Sequence, residues 1–224
     1  MESMKLNKKI QFMCAADGTS GSGKTTGTKI ISKYFGLKIL SSGLLYRWIA
    51  LQLITKKKSI NNKKFLLQIS KKINLQKLKN KKLYSPVVTE FTSKIAKIKF
   101  IRSLLKNFQK KFSQKRLCII EGRDIGTVVA KNADLKLFFK CSLNIKAKRR
   151  FKEYKKNNSK ITYMEVKKAL KLRDFNDANR KISPCRPAKG AVIVDTSKIN
   201  IKQMKIKLIN IVFKELQKKY GRNL

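Results

Sequence analysis

Histidine is absent from all 224 residues, so no Ser-His-Asp or Cys-His triad, no His-ligated zinc and no imidazole acid or base can operate. Acids are scarce as well. Twelve Asp and Glu stand against 56 Lys and Arg, a formal net charge of +44. Long apolar runs are missing too: the longest, 12–16, covers five residues, where a membrane-spanning helix needs about 20. No transmembrane segment is expected. Lys5, Lys8 and Lys9 ahead of that run imitate a signal peptide, but Gln11 interrupts it and a glycine-rich loop follows at once, so a cytoplasmic protein is expected. Cys14, Cys118, Cys141 and Cys185 form no Cys-x-x-Cys and read as small core residues kept reduced.

The apolar share, 42% of a chain this long, is enough for a packed core. The basic excess invites nucleic acid, because lysines neutralise phosphates whatever the base sequence. Lysine is nevertheless spread over the whole chain with no separate basic block, as if filling every replaceable surface position. Specific nucleic-acid binding is therefore not expected, although weak, salt-sensitive, non-specific RNA binding is compatible with this charge. Against 46 lysines there are only ten arginines. An arginine retained in such a chain marks a place where a planar, bidentate fork is needed.

Residues 10–16 read as a buried strand, 18–25 as a loop, and the stretch to about Phe35 as a helix. A short strand over 37–40 and a helix over 43–55 follow. Residues 56–85 are lysine-rich and weakly periodic, and read as an inserted lobe. Pro86 suits a first helical position, and Val88, Phe91, Ile95, Ile98 and Ile101 mark a long amphipathic helix or helix pair. Three more buried strands are expected at 117–121, 135–141 and 191–195. Thr162 and Glu165 have the spacing of a capping box, and 201–219 reads as a final amphipathic helix. Five strands interleaved with helices predict an α/β fold with a doubly wound parallel sheet.

Gly18-Thr19-Ser20-Gly21-Ser22-Gly23-Lys24-Thr25 matches Gly-x-x-x-x-Gly-Lys-[Ser/Thr] between an expected strand and an expected helix, the context a phosphate loop requires. Its glycines let backbone N–H groups turn inward around a phosphate, and the helix N-terminus adds partial positive charge. Lys24 is then expected to bridge the β- and γ-phosphates of ATP, and the Thr25 hydroxyl to hold Mg²⁺. The guanine-reading Asn-Lys-x-Asp is absent.

Three further strings narrow the class: Ser42-Gly43-Leu44-Leu45-Tyr46-Arg47; Glu121-Gly122-Arg123-Asp124-Ile125-Gly126-Thr127-Val128-Val129; and Arg173-Asp174 through Asp177, Asn179 and Arg180. Together with the phosphate loop they resemble bacterial cytidylate kinases, the CMP/dCMP kinases among P-loop nucleoside monophosphate kinases, over about residues 10–197. The resemblance implies a P-loop kinase fold as one domain: a core of about 5–55 and 113–224, a monophosphate-binding lobe of about 56–112, and a lid of about 149–160. It implies transfer of the γ-phosphoryl of ATP to CMP or dCMP with Mg²⁺, by a monomer. Residues 18–25, Thr26 and Arg149 would hold ATP. Arg47 and Arg123 would clamp the acceptor phosphate, while Ser42, Ser93, Arg102 and Asp124 would read cytosine. Arg173 and Asp177 would contact ribose and phosphate, with Arg180 beside them on the transferred group. Lys24, Arg123, Arg173 and Arg180 would be catalytic.

Geometry adds conditions. Arg173, Asp177 and Arg180 stand at i, i+4 and i+7, so one helical face is expected to present all three. Ser93 and Arg102, nine residues apart, fall on opposite faces of an unbroken helix at ~3.6 residues per turn, so they can share a base only if the helix breaks between them. Glu121 reads either as a group orienting water on Mg²⁺ or as an arginine's partner, and Arg149 and Arg150 either as lid arginines or as a solvated helix face. Two rivals stay open: a P-loop kinase with another small acceptor, and an RNA- or ribosome-binding ATPase.

Overall fold

In the computed structural model, residues 3, 4, 6–156 and 160–221 are described. The chain forms two compact units, one of residues 1–39 and 113–224, the other of residues 40–112.

The first unit is built on β1 (Phe12–Gly18), β3 (Leu117–Glu121), β4 (Leu135–Lys140) and β5 (Val192–Asp195). With β2 (Lys38–Ser41), where the chain passes into the second unit, these make a five-stranded sheet in the order β2-β3-β1-β4-β5. β1 runs parallel to both β3 and β4, and β4 parallel to β5. All seven residues of β1 are buried, as a central strand covered on both faces requires. The period of two is still visible: Phe12, Cys14 and Ala16 join Leu117, Ile119, Leu135, Leu137 and Phe139 in one core. That core is closed by Ile31 and Phe35 of α1 (Lys24–Phe35) and by Met204, Leu208, Ile209, Val212 and Leu216 of α8 (Ile201–Tyr220). Gly27 allows the close approach of α1: a Cβ there would lie 2.6 Å from the Phe139 ring.

Helices α6 (Leu143–Lys156) and α7 (Tyr163–Asn179) pack through Ala147, Val166 and Leu170. The expected capping box forms: Thr162 accepts from Glu165 N, and the Glu165 carboxylate accepts from Thr162 N. Part of the expected lid, residues 157–159, lies outside the described residues.

The second unit holds α2 (Ser42–Thr55), α3 (Lys63–Lys71), α4 (Pro86–Ile95) and α5 (Lys99–Ser113), the last ending one residue into the first unit. The division falls at Leu40, not near residue 56, because α2 packs on α3 and α4. The lysine-rich stretch is ordered by capping. Asn62 accepts from Phe65 N at the start of α3, Asn80 from Lys82 N in a 3₁₀ turn, and Ser85 from Val88 N ahead of Pro86. The amphipathic pattern after Pro86 is a helix pair, with 96–98 between the two. Glu90 is the only carboxylate between residues 40 and 112, and it pairs with Lys94 at 3.4 Å.

Alanine at Gly27 should test the α1–β4 packing. In an exposed helix the change would stabilise by about 1 kcal/mol. Here the added methyl meets the Phe139 ring and, at 3.0 Å, Leu208 Cδ1, so a net loss of about 1–3 kcal/mol is expected in urea denaturation. An unchanged midpoint would show that this approach is not constrained.

Candidate active site

Gly18 ends β1, and the loop after it turns into α1 through Gly23, the residue ahead of the helix, at φ 79 in the left-handed region. No side chain caps α1, and its first internal bond runs from Gly27 N to Gly23 O at 2.9 Å. The N–H groups of the first turn are thus available to an anion. The loop is braced from its flanks: Ser22 Oγ donates to Thr19 O at 3.0 Å, Thr196 Oγ1 donates to Ser22 O at 3.0 Å, and Ser20 N donates to Asp174 Oδ1 at 2.9 Å. Lys24 is buried beneath it. Burial, helped by the charge of Arg123, pulls its ammonium down to about 8.

Glu121, at the carboxyl end of β3, is 4% exposed and stands beside α1. Its Oε1 accepts from Thr25 Oγ1, and its Oε2 lies within hydrogen-bond reach of Thr28 Oγ1, both at 3.1 Å. Two residues on, Arg123 Nε donates to Asp177 Oδ2 at 2.9 Å. Burial pushes the Asp177 carboxyl up, but Arg123 first, then Arg173 and Arg180, more than offset this and hold it below the usual carboxylate range. Arg180 has its NH2 groups 3.7 Å from Asp124 Oδ1 and 3.8 Å from Asp177 Oδ1, and its Nε donates to Ser183 O at 2.5 Å.

Arg180 corrects one expectation. Helix α7 ends at Asn179, and Arg180 has an extended backbone, φ −65 and ψ 137, so the three residues do not share a continuous helical face. The carboxylates of Asp124 and Asp177 aim its guanidinium instead. Arg149 does not lie on a solvated helix face: Nη2 donates to Thr196 O at 2.7 Å and Nη1 to Thr196 Oγ1 at 3.1 Å, which ties α6 to the loop that braces Ser22. Arg150 pairs with Glu153 on the helix surface.

Within the second unit, Ser42 Oγ accepts from Gln109 Nε2 at 2.5 Å. Arg47 Nη1 donates to Leu83 O at 2.7 Å and Thr89 Oγ1 at 2.9 Å, with its guanidinium 5.4 Å from the Tyr84 ring centre. Ser93 is exposed on α4, and Arg102 is buried on α5. The break required between them exists. Arg102 Nη1 donates back across it to Ala96 O at 2.9 Å, satisfying a carbonyl that the end of α4 leaves unpaired.

Several residues of these clusters carried no expectation. Asp17, 3% exposed, accepts from Ile125 N at 2.8 Å and Gly126 N at 2.7 Å, and so fixes the turn that follows Arg123. Its signal was a carboxylate closing an apolar strand in an acid-poor chain. Asp174 stood inside a recognised string without a role. Lys146, one of 46 lysines, gave no signal, nor did Gln109 or Thr196.

A phosphate loop at the carboxyl end of a central parallel strand, with Lys24 buried at the start of α1 and Arg123 just beyond the neighbouring strand β3, defines the class as P-loop phosphotransferase. The family model for cytidylate kinase matches residues 14–214, and the chain belongs to that family. It is 36% identical to a cytidylate kinase of Fusobacterium nucleatum over 92% of this chain and 98% of that one. It is 33% identical to one of Clostridium botulinum strain Okra, over 92% and 100%. Among solved structures the fold is shared with an uncharacterized protein from Eubacterium ventriosum (TM-score 0.57, 15% identity, 91% and 99% covered). A gluconokinase from Sinorhizobium meliloti shares it too (TM-score 0.52, 10% identity, 97% and 100% covered).

Burial pushes the Asp17 carboxyl up to about 6, against the two N–H bonds that lower it. Because the folded value lies above the ordinary 3.8, Asp17 contributes stability below about pH 4 that is lost as pH rises through 6. Asp17→Asn, whatever its constant offset, should therefore gain on the wild type between pH 4 and 7 by up to about 3 kcal/mol. Parallel stability curves in that window would show that Asp17 does not titrate there.

Proposed function

We propose that this chain transfers the γ-phosphoryl group of ATP to CMP or dCMP, giving ADP and CDP or dCDP. The observation that carries the reading is the Arg123–Asp177–Arg180–Asp124 cluster, built at the carboxyl end of β3 in the same unit as the phosphate loop. An acceptor phosphate is already ionised near neutral pH, so no base has to remove a proton, and the absence of histidine costs nothing. A CMP phosphate oxygen attacks the γ-phosphorus, the bond to the β–γ bridging oxygen breaks, and ADP leaves with that electron pair. The barrier lies in bringing two polyanions together and in the charge spread over the transferring group.

The residues divide accordingly. The N–H groups of residues 21–26 and Lys24 hold the donor phosphates, while Thr19 N and Ser20 N, bonded to Phe139 O and Asp174, keep the loop in shape. Arg123 and Arg173 take the acceptor phosphate, Arg180 the transferring group, and Asp177 the ribose while aiming Arg123. Asp124 accepts from the cytosine amino group. In the second unit Ser42, Arg47, Ser93 and Arg102 are assigned to CMP, with Arg47 held ready by Leu83 O and Thr89. Arg149, anchored on Thr196, supports the donor side. Thr25 Oγ1 and Glu121 form a small set of hard oxygen donors, and among the described residues no group of three metal-binding side chains occurs. That suits a cation that keeps waters and substrate phosphates as most of its ligands, and Mg²⁺ bound there would neutralise charge on the phosphates. Among the described residues no helix is long and apolar enough to cross a membrane. The reading further takes the chain to act as a monomer on dissolved nucleotides in the cytoplasm.

A coupled assay with CMP, dCMP, UMP, AMP and GMP tests the assignment. CMP and dCMP should be the efficient acceptors and UMP clearly poorer, since an unpaired buried acceptor such as Asp124 costs about 1–3 kcal/mol. Equal kcat/KM for CMP and UMP would refute it. Arg123→Lys should lose nearly as much turnover as Arg123→Ala, because a point charge cannot reproduce the fork on a phosphate while also bonding Asp177. Wild-type rates from the lysine variant would remove Arg123 from the acceptor site.

A further inference from the structure

Of the many lysines of this chain, two are buried among the described residues, Lys24 at 8% and Lys146 at 5% exposure. Both stand against the phosphate loop. Lys146 lies in the first turn of α6, and a Cβ placed on Gly21 would meet its Cβ at 3.3 Å. Its Nζ forms an ion pair with Asp174 Oδ2, while Asp174 Oδ1 accepts from Ser20 N at 2.9 Å. Burial, and further the charge of Arg123, pull the Lys146 ammonium below the usual lysine range. An ammonium loses hydration when buried and repels a cation nearby, and a single carboxylate does not make that arrangement favourable over a solvated surface position. A polyanion between Lys146, Lys24 and the loop would.

We propose that Lys146 is a second phosphate-binding lysine of the nucleoside triphosphate site, and that Asp174 is the residue that positions it against the loop. The ammonium has three donors, of which Asp174 uses one, leaving donors for phosphate oxygens. Asp174, by also fixing Ser20 N, sets the distance between α6 and the loop. This inference rests on the reading of 18–25 as the ATP phosphate site.

Direct titration of the whole protein with ATP and with AMP, alongside thermal melting, tests it. Lys146→Met should weaken ATP by roughly 10- to 100-fold, the worth of a charge-assisted bond, and AMP by far less. Lys146→Arg should recover most of the ATP affinity. The double variant Lys146→Met with Asp174→Asn leaves no uncompensated buried charge, so it should melt near the wild type yet remain weak for ATP. If the double variant instead regains ATP affinity, the pair is only a structural link and the proposal is overturned. Equal losses for ATP and AMP overturn it as well. Lys24→Met serves as the reference: ATP affinity unaffected by that change would overturn the phosphate-site reading itself. A wild type that binds ATP but transfers nothing to CMP would overturn only the acceptor assignment.

Discussion

A cluster of cations ready for phosphate repels itself, and in the first unit carboxylates hold it together. Asp177 takes Arg123 and stands near Arg180, Asp124 stands near Arg180 from the other side, and Asp174 takes Lys146. The chain has only twelve acids, and these three, with Asp17 and Glu121, sit around the phosphate loop and the turn after β3. Each buried pair is held against desolvation, and breaking one by removing a single partner is expected to cost about 3–5 kcal/mol, far more than any exposed lysine contact. The pairs also fix direction. The Arg123 Nε is committed to Asp177 and Nη1 also donates to Gly122 O at 3.3 Å, which fixes the plane of the guanidinium.

The parts of the fold legible in the sequence were those in which one local rule dominates. The β3 bounds 117–121 follow from a short run of buried apolar residues, and the start of α7 from Thr162 and Glu165 satisfying each other's backbone. The phosphate loop was legible because glycine spacing and a Lys-Thr pair leave few alternatives. Residues 56–85 were not, since their order comes from isolated caps such as Asn62, Asn74, Asn80 and Ser85, and from packing on α2 that no periodicity announces. Arg180 was misplaced on a helical face because α7 ends one residue before it, and residue spacing is blind to where a helix stops. Lys146 was invisible for a different reason: abundance removes information, and burial alone separates it from the other lysines.

The break between α4 and α5 shows how a missing residue type is replaced. No proline stands between Ser93 and Arg102, yet the helix stops at Ile95 and restarts at Lys99. Arg102 helps hold the break by bonding Ala96 O, and its guanidinium lies 5.6 Å from the Tyr46 ring centre. A side chain expected to read a base therefore also maintains the local backbone, so substitutions there act on architecture and on recognition together.

Glu90, the one carboxylate among residues 40–112, gives the second unit an unusual response to its surroundings. Acid denaturation ordinarily proceeds through protonation of paired carboxylates, and here there is one exposed pair to lose. What remains is repulsion among many like charges, which varies with counterions and hardly at all with hydrogen-ion concentration. At physiological ionic strength those charges are screened beyond about 8 Å; at tenfold dilution the screening length grows to about 25 Å and the whole unit feels its own field. The cohesion of this unit is thus governed by salt: dilution of electrolyte loosens it, and acidification within the carboxylate range leaves it nearly unchanged.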